Sequence, residues 1–144
     1  MKLIATEIEG LLIIEPTIFG DERGYFYESF RDDVLKEAGV KEDFVQDNQS
    51  YSHKGILRGL HYQTKKPQGK LITVIKGKIF DVAVDLRKKS KTYGRYYSRI
   101  LSAKNSLSIY IPAGFAHGFC ALDKENLVVY SCTQYRNARS EIGI

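Results

Sequence analysis

The sequence has only two cysteines and three prolines, no tryptophan, and no long apolar run. Cys120 and Cys132 do not form a metal-binding spacing, and both lie in apolar segments, so we expect buried thiols. No segment approaches the roughly 20 apolar residues of a membrane-spanning helix, and the N-terminus has no apolar signal core. We therefore expect no membrane association and a reducing, cytoplasmic location.

Long blocks of like charge are also missing, although the chain carries a formal net charge of +5. The longest basic cluster, residues 87–91, is typical of a solvated turn. A basic excess without a basic arm is weak evidence for nucleic-acid binding, so we expect no nucleic-acid partner. A small anionic ligand fits the same positive charge equally well.

The chain is rich in short segments of strand character. Its ten tyrosines and seven phenylalanines favour strands over helices. Apolar patterning between glycine turns predicts strands at residues 11–14, 25–30, 70–76, 78–86, 96–101, 106–111 and 127–133. One helix is expected at residues 32–38, with Asp32 as its N-cap and Gly39 at its end. Many short strands in 144 residues indicate a single all-β domain, a sandwich or a barrel.

Two of the three histidines lie in glycine-flanked segments. In the segment ILRGLHYQ, residues 56–63, strict alternation puts Arg58 on one side of a strand and His61 on the other. His61 is either a structural core histidine or a base that titrates near neutral pH. In IPAGFAHGF, residues 111–119, a proline–glycine turn precedes His117, which belongs either to a plain buried turn or to a functional site.

Lys70 begins an apolar strand. A lysine there is usually a solvated strand end, but one that faces a cavity can stabilise an oxyanion. A base, fixed cations and a rigid β frame are the ingredients of proton transfer on an anionic substrate. The sequence therefore indicates an enzyme, provided that these side chains converge.

Together these pieces resemble the dTDP-4-dehydrorhamnose 3,5-epimerase family, a branch of the cupin superfamily. The resemblance runs in order from about residue 10 to the C-terminus. The matching segments are GDERGYF (20–26), QDNQS (46–50), GILRGLHYQ (55–63), KGKIFDV (76–82), DLR (85–87), SKTYG (90–94) and PAGFAHGF (112–119), with Lys70, Tyr130 and Cys132.

The resemblance implies a cupin-type double-stranded jelly-roll barrel spanning residues 1–144 as one domain. It implies an isomerase that epimerises a dTDP-linked 4-keto-6-deoxy sugar without a cofactor. His61 matches the general base that removes the proton from carbon 3 or carbon 5. Lys70 matches the residue that stabilises the enolate oxygen, and Tyr130 matches the general acid on the opposite sugar face. Two rivals stay open: an epimerase that inverts only one of the two carbons, and a non-catalytic sugar-nucleotide-binding cupin.

The same resemblance implies a set of residues around the substrate. Those matched to substrate binding are Arg23, Phe26, Glu28, Gln46, Asn48, Arg58, His117 and Tyr135. Asp81 matches a further polar position near the site. In the family, Arg23, Phe26 and Glu28 would come from a neighbouring subunit, which implies a homodimer.

Two differences from the family's pattern, and one from metal-binding cupins, affect these expectations. The family continues for tens of residues beyond Ile144, and that tail carries the carboxylate that orients the base histidine. An aromatic pair of the family reads Tyr135–Arg136 here, which alters one contact to the sugar or base. Many cupins bind metal through two histidines one residue apart and a glutamate, but here the motif reads His61–Tyr62–Gln63, so we expect no metal.

Overall fold

The computed structural model describes residues 1–144 and contains thirteen strands and one short helix. The strands are β1 (Lys2–Ala5), β2 (Leu12–Glu15), β3 (Phe19–Asp21), β4 (Gly24–Phe26), β5 (Gln46–His53), β6 (Leu57–Gln63), β7 (Lys70–Lys76), β8 (Lys78–Asp85), β9 (Tyr96–Ser102), β10 (Ser108–Ile111), β11 (Phe115–Ala121), β12 (Glu125–Cys132) and β13 (Glu141–Gly143), and the helix α1 is Asp32–Glu37. No helix is long and apolar enough to cross a membrane.

The strands form two main antiparallel sheets. One has six strands in the order β1-β2-β10-β7-β12-β5, and the other has five in the order β13-β6-β11-β8-β9. The hairpin β3–β4 stands apart as a two-stranded sheet. From β5 onward, successive strands alternate between the two sheets except for the neighbours β8 and β9, which is typical of a jelly roll. The predicted all-β jelly roll with one short helix is confirmed.

The core lies between the two sheets. Its main cluster comprises fourteen buried apolar residues, including Ile72 and Ile109 from the six-stranded sheet and Ile79 and Phe119 from the other. Burying each such side chain contributes about 1.5–3 kcal/mol to folding. Tyr130 is only partly buried and packs against this cluster, so the core fixes its ring.

The helix differs in detail from the prediction. Arg31 is the N-cap residue and makes no side-chain cap hydrogen bond, so the assignment of Asp32 as the cap was wrong. Asp32 instead lies in the first turn, where its negative charge interacts favourably with the positive end of the helix dipole. The helix ends at Glu37, and Gly39 follows with φ of 94°, the left-handed conformation expected after a helix.

Strand β5 was absent from the sequence prediction, for a physical reason. Its half-buried positions carry the polar residues Gln46, Asn48 and Ser50, so no apolar alternation marks it. Of the strand predicted at residues 25–30, only the part within β4 is observed, and β4 is exposed throughout. Asn48 and Gln49 of β5 contribute to the polar lining of the barrel's cavity.

Candidate active site

A cavity of about 660 Å³ opens inside the barrel. Residues from both sheets line it, and six predicted site residues are among them: Asn48, Arg58, His61, Lys70, His117 and Tyr130. The imidazole of His61, the ammonium of Lys70 and the phenol of Tyr130 therefore face one space. The fold brings these groups together, while the role of each stays a prediction.

The two histidines of the cavity lie side by side. His61 on β6 is the direct cross-strand partner of His117 on β11, so both side chains point to the same face of the sheet. His117 is buried, and its Nε2 lies 2.7 Å from Oδ2 of the fully buried Asp81. Asp81 Oδ1 has no protein partner. Asp81 thus holds the His117 ring, and the expected position of Asp81 near the site is observed.

A bulge in β6 brings Arg58 to the same cavity as His61. Arg58 pairs with Phe119 and His61 with His117, so three steps along β6 match two along β11. Gly59 occupies the bulge with φ of 108°. The strict alternation expected from sequence, with Arg58 facing away from His61, was therefore wrong. The Arg58 guanidinium donates to Ser52 Oγ at 2.9 Å and to the Tyr51 carbonyl at 3.1 Å, which fixes its position.

Lys70 occupies the first position of β7 and is directly paired with Cys132 on β12. Burial lowers the pKa of the Lys70 amine below its usual 10.5, while nearby Cys132, Glu141 and Asp81 oppose that shift. No carboxylate forms an ion pair with this amine. A cation without a fixed partner is free to meet a developing negative charge.

Tyr130 lies on β12 opposite Asn48 of β5. Burial raises the pKa of its phenol above 10, Cys132 adds to the rise, and the positive charge of Arg58 opposes it. Tyr130 therefore keeps its proton at neutral pH, as a general acid must.

Gln46 does not line the cavity, although the sequence prediction grouped it with the binding residues. Its Nε2 donates to Asn48 Oδ1 at 2.8 Å, and Asn48 Nδ2 in turn donates to Cys132 Sγ at 3.5 Å. Cys132 is fully buried, as predicted, whereas Cys120 is only partly buried. Gln46 thus acts on the site through Asn48.

Besides Gln46, four more predicted binding residues lie outside the cavity of this chain. Arg23 and Phe26 are exposed on the β3–β4 hairpin, and Glu28 forms a 3.5 Å ion pair with Arg31. A neighbouring subunit as the source of these three contacts stays a prediction. Tyr135 is 69% exposed and does not line the cavity, so its predicted place beside the substrate is not observed. The next residue, Arg136, lines the cavity instead.

Arg136 and Glu141 are cavity residues that sequence reasoning missed. Glu141 belongs to β13, which pairs with β6 so that Gly143 lies opposite His61. The Arg136 guanidinium holds the pKa of Glu141 below its usual range, and the charges of His61 and Lys70 lower it further. Strand β13 has only three residues and no apolar alternation, so its sequence does not predict a strand. The only sequence feature that pointed to Arg136 was that Tyr135–Arg136 replaces the family's aromatic pair.

No cluster of three or more His, Cys, Asp or Glu side chains is arranged to hold a metal ion. The cavity offers two histidines, a half-buried lysine, a protonated tyrosine and a fixed arginine. Fold and site together define a jelly-roll protein of the cupin class with groups suited to acid–base chemistry.

The chain belongs to the dTDP-4-dehydrorhamnose 3,5-epimerase family, whose sequence model matches residues 5–144. It is 52% identical over 143 residues to the dTDP-4-dehydrorhamnose 3,5-epimerase of Methanothermobacter thermautotrophicus, a match covering 99% of this chain and 77% of that protein. The crystal structure of dTDP-6-deoxy-D-glucose-3,5-epimerase from Legionella pneumophila, in complex with dTDP-4-keto-L-rhamnose, superposes with a TM-score of 0.96 at 51% identity. That match covers 99% of this chain and 77% of the Legionella chain.

A more distant structure has a different named activity. A 3'-monoepimerase from Streptomyces bikiniensis, in complex with dTDP-quinovose, is 32% identical with a TM-score of 0.89. The match covers 96% of this chain and 71% of that one. The same framework therefore serves proteins named for one epimerised centre and for two.

Proposed function

We propose that this protein epimerises a dTDP-linked 4-keto-6-deoxy sugar at carbons 3 and 5, converting dTDP-4-dehydro-6-deoxyglucose to dTDP-4-dehydrorhamnose. The observation that carries the proposal is the common cavity of His61, Lys70 and Tyr130. Membership of the family and the ligand named for the Legionella structure support this choice of substrate.

The reaction needs a base on one face of the sugar. Protons on carbons 3 and 5 are acidic because both carbons flank the keto group. His61 removes each proton in turn, since a neutral imidazole is a competent base near pH 7. The neighbouring His117 is buried and held by Asp81, so we assign proton removal to the more exposed ring of His61.

Loss of the proton moves negative charge onto the keto oxygen. Lys70 stabilises this enolate because its ammonium is half-buried and has no carboxylate partner, so water only partly screens the interaction. Tyr130 then donates a proton to the opposite face of the same carbon, which inverts the centre. The phenol is suited to this step because burial keeps it protonated.

The nucleoside diphosphate is held by charge and hydrogen bonds. Arg58 supplies a fixed guanidinium and Asn48 supplies an amide, both on the cavity wall. The net charge of +5 favours such an anion. A homodimer in which Arg23, Phe26 and Glu28 complete the neighbouring site, and a cytoplasmic location, are parts of this proposal.

A second candidate is an epimerase that inverts one carbon only. The similarity of this chain to the Streptomyces 3'-monoepimerase supports this second candidate. The two candidates share the base, the cation and the acid, and differ in how many carbons meet them.

Incubating the purified protein with dTDP-4-dehydro-6-deoxyglucose in deuterated water tests the proposal. Deuterium at carbons 3 and 5, located by NMR, together with the rhamno product is the expected result. Deuterium at carbon 3 or carbon 5 alone would assign the single-centre reaction. Binding of the nucleotide sugar without any exchange would overturn the catalytic proposal and leave a binding protein.

A further inference from the structure

One wall of the cavity is built where the turn after β10 enters β11. Gly114 of this turn and Phe115, the first residue of β11, both line the cavity. Phe115 is also buried in the main apolar cluster of the core. Its backbone pairs with that of Asp85, the last residue of β8. The shape of this wall therefore depends on what holds the turn from the side away from the cavity.

The side chain of Arg87 packs against this wall and is not itself a cavity residue. Its guanidinium carbon lies 4.7 Å from the centroid of the Phe115 ring, within the range of a cation–π contact. Its Cγ fills the space beside Gly114, where an added Cβ atom would lie only 2.7 Å away. The Gly114 carbonyl also accepts a hydrogen bond from the Leu86 amide at 3.0 Å. Residues 86 and 87 thus hold both parts of the wall.

Arg87 is in turn fixed at several points. Its Nε donates to Asp85 Oδ1 and its Nη2 to Asp85 Oδ2, each at 2.9 Å, and Nη2 also donates to the Glu9 carbonyl at 2.9 Å. The fully buried Asp85 carboxylate accepts two more hydrogen bonds, from the hydroxyls of Ser90 at 2.6 Å and Thr92 at 2.7 Å. Burial opposes the charge of Asp85, but these hydrogen bonds hold its pKa well below the usual range. The two-point contact sets the plane of the guanidinium as well as its position.

The pairing of β11 with β6 shows which part of the cavity this wall borders. Phe119 pairs with Arg58, and His117 pairs with His61. Phe115, His117 and Phe119 all line the cavity, with His117 between the other two along the strand. A ligand whose diphosphate lies at Arg58 and whose reacting carbons lie at His61 therefore presents its sugar, rather than its nucleoside, to Phe115.

We propose that Arg87 is a positioning residue for the epimerisation, which acts through Phe115 to hold the wall against which the sugar is seated. This inference rests on the proposed nucleotide-sugar substrate. Because Arg87 lies behind the wall, its replacement should disturb the placement of the sugar and leave the binding of the nucleotide intact. The competing interpretation is that Arg87 only neutralises the buried carboxylate of Asp85.

The variant Arg87→Lys separates the two interpretations. Lysine keeps a positive charge for Asp85 but loses the guanidinium plane that covers Phe115. Thr92→Val is the matched control, because it removes a hydrogen bond to the same carboxylate from a residue outside the cavity. The measurements are the rate of deuterium exchange at saturating 4-keto sugar nucleotide, the affinity for dTDP by calorimetry, and the melting temperature. Rates and affinities are compared at a temperature at which both variants are folded.

The exchange rate of Arg87→Lys should fall about tenfold or more, since a misplacement of about 1 Å at the reacting centre costs up to about 100-fold. Its affinity for dTDP should stay within about threefold of that of the native protein. Thr92→Val should lower the melting temperature but keep the exchange rate within about twofold. An unchanged rate for Arg87→Lys, an equal fall in both variants, or a matching fall in dTDP affinity would overturn the positioning role.

A double-mutant cycle with Phe115→Leu tests whether the effect passes through the ring. In the Phe115→Leu background, Arg87→Lys should change the exchange rate by less than about twofold, and a full tenfold loss there would contradict the proposal. If the native protein exchanges no deuterium at all, the proposed function fails separately. The affinity for dTDP-glucose relative to dTDP then decides the role of Arg87: a fall in this ratio for Arg87→Lys but not for Thr92→Val supports it, and an unchanged ratio overturns it.

Discussion

His61 and His117 are direct cross-strand partners whose rings share one cavity but have different surroundings. Asp81 binds the ring of His117 at 2.7 Å, whereas the ring of His61 has Gly143 as its cross-strand neighbour and remains exposed. A Cβ atom at Gly143 would lie 3.5 Å from His61 Cδ2, an ordinary van der Waals contact, so the ring lies directly beside this glycine. Of the two rings, that of His61 is the more accessible to a ligand in the cavity, and its role as the base stays a prediction.

Replacing His61 by Asn should reduce deuterium exchange by at least about 100-fold, because loss of a positioned general base costs that much or more. His53 provides the matched control, since it is the third histidine of the chain and lies exposed outside the cavity. His53→Asn should leave the exchange rate within about twofold. Equal losses in the two variants would remove His61 from its assigned role.

Lys70→Met should abolish epimerisation and, at the same time, raise the melting temperature by a few degrees. A pKa lowered by burial means that the protonated amine is less stable in the folded state than in the unfolded chain. That cost is present while Lys70 is charged and disappears as the pH rises through its folded pKa towards 10.5. The native protein should therefore gain stability over this alkaline range, and the variant should lack that gain.

The control for this change is Lys76→Met. Lys76 is an exposed lysine whose Nζ lies 2.6 Å from Glu125 Oε2, and the loss of such a surface ion pair costs about 1 kcal/mol or less. Scanning calorimetry at several pH values compares the two variants. A Lys70→Met protein that is less stable than the native one at pH 7 would contradict the claim that this charge is costly to bury.

Tyr130→Phe should separate proton removal from inversion. The base still abstracts the proton, so deuterium continues to enter the substrate, but the opposite face lacks its acid and little epimer forms. The ratio of exchange to epimerisation should rise about tenfold or more, which NMR measures in one reaction. Tyr110→Phe is the control, since Tyr110 is also buried but lies outside the cavity beside Glu42. A proportional fall in both rates for Tyr130→Phe would argue against its role as the acid.

Sequence patterns predicted the parts of the fold that apolar periodicity governs. Strand β7 was predicted with its observed bounds because it is a run of apolar residues that ends at Gly77. Strand β8 was predicted with one extra residue because its side chains alternate between the two faces of the sheet. Strand β5 was missed because its inner face is polar. The patterns that mark strands thus fail where a strand lines a polar cavity.

Some residues of the candidate site could likewise be predicted from the sequence, and others could not. His61, Lys70 and Tyr130 could be named from motifs, and the structure brings them to one cavity. That Arg58 shares this cavity depends on a bulge, which is a relation between two strands that no single segment encodes. The pairing of Arg136 with Glu141 likewise depends on how β13 docks beside β6.

The bulge itself leads to a last prediction, about stability. A Cβ atom on Gly59 would lie 2.6 Å from both the Gly118 Cα and the His117 carbonyl oxygen, and Gly59 has φ of 108°. Gly59→Ala should therefore cost at least about 3 kcal/mol, since the left-handed backbone and the close backbone contact both oppose a side chain.

Gly55→Ala is the matched control for this change. Gly55 also has a positive φ, of 83°, but a Cβ there would meet nothing within 4 Å, so only the backbone penalty of about 1–2 kcal/mol applies. Urea unfolding of both variants measures the difference. Because the bulge turns Arg58 into the cavity, Gly59→Ala should also weaken dTDP binding, whereas Gly55→Ala should not. Equal destabilisation by the two substitutions would mean that the β6–β11 contact can relax around a methyl group, and the bulge would then not be what fixes Arg58 beside His61.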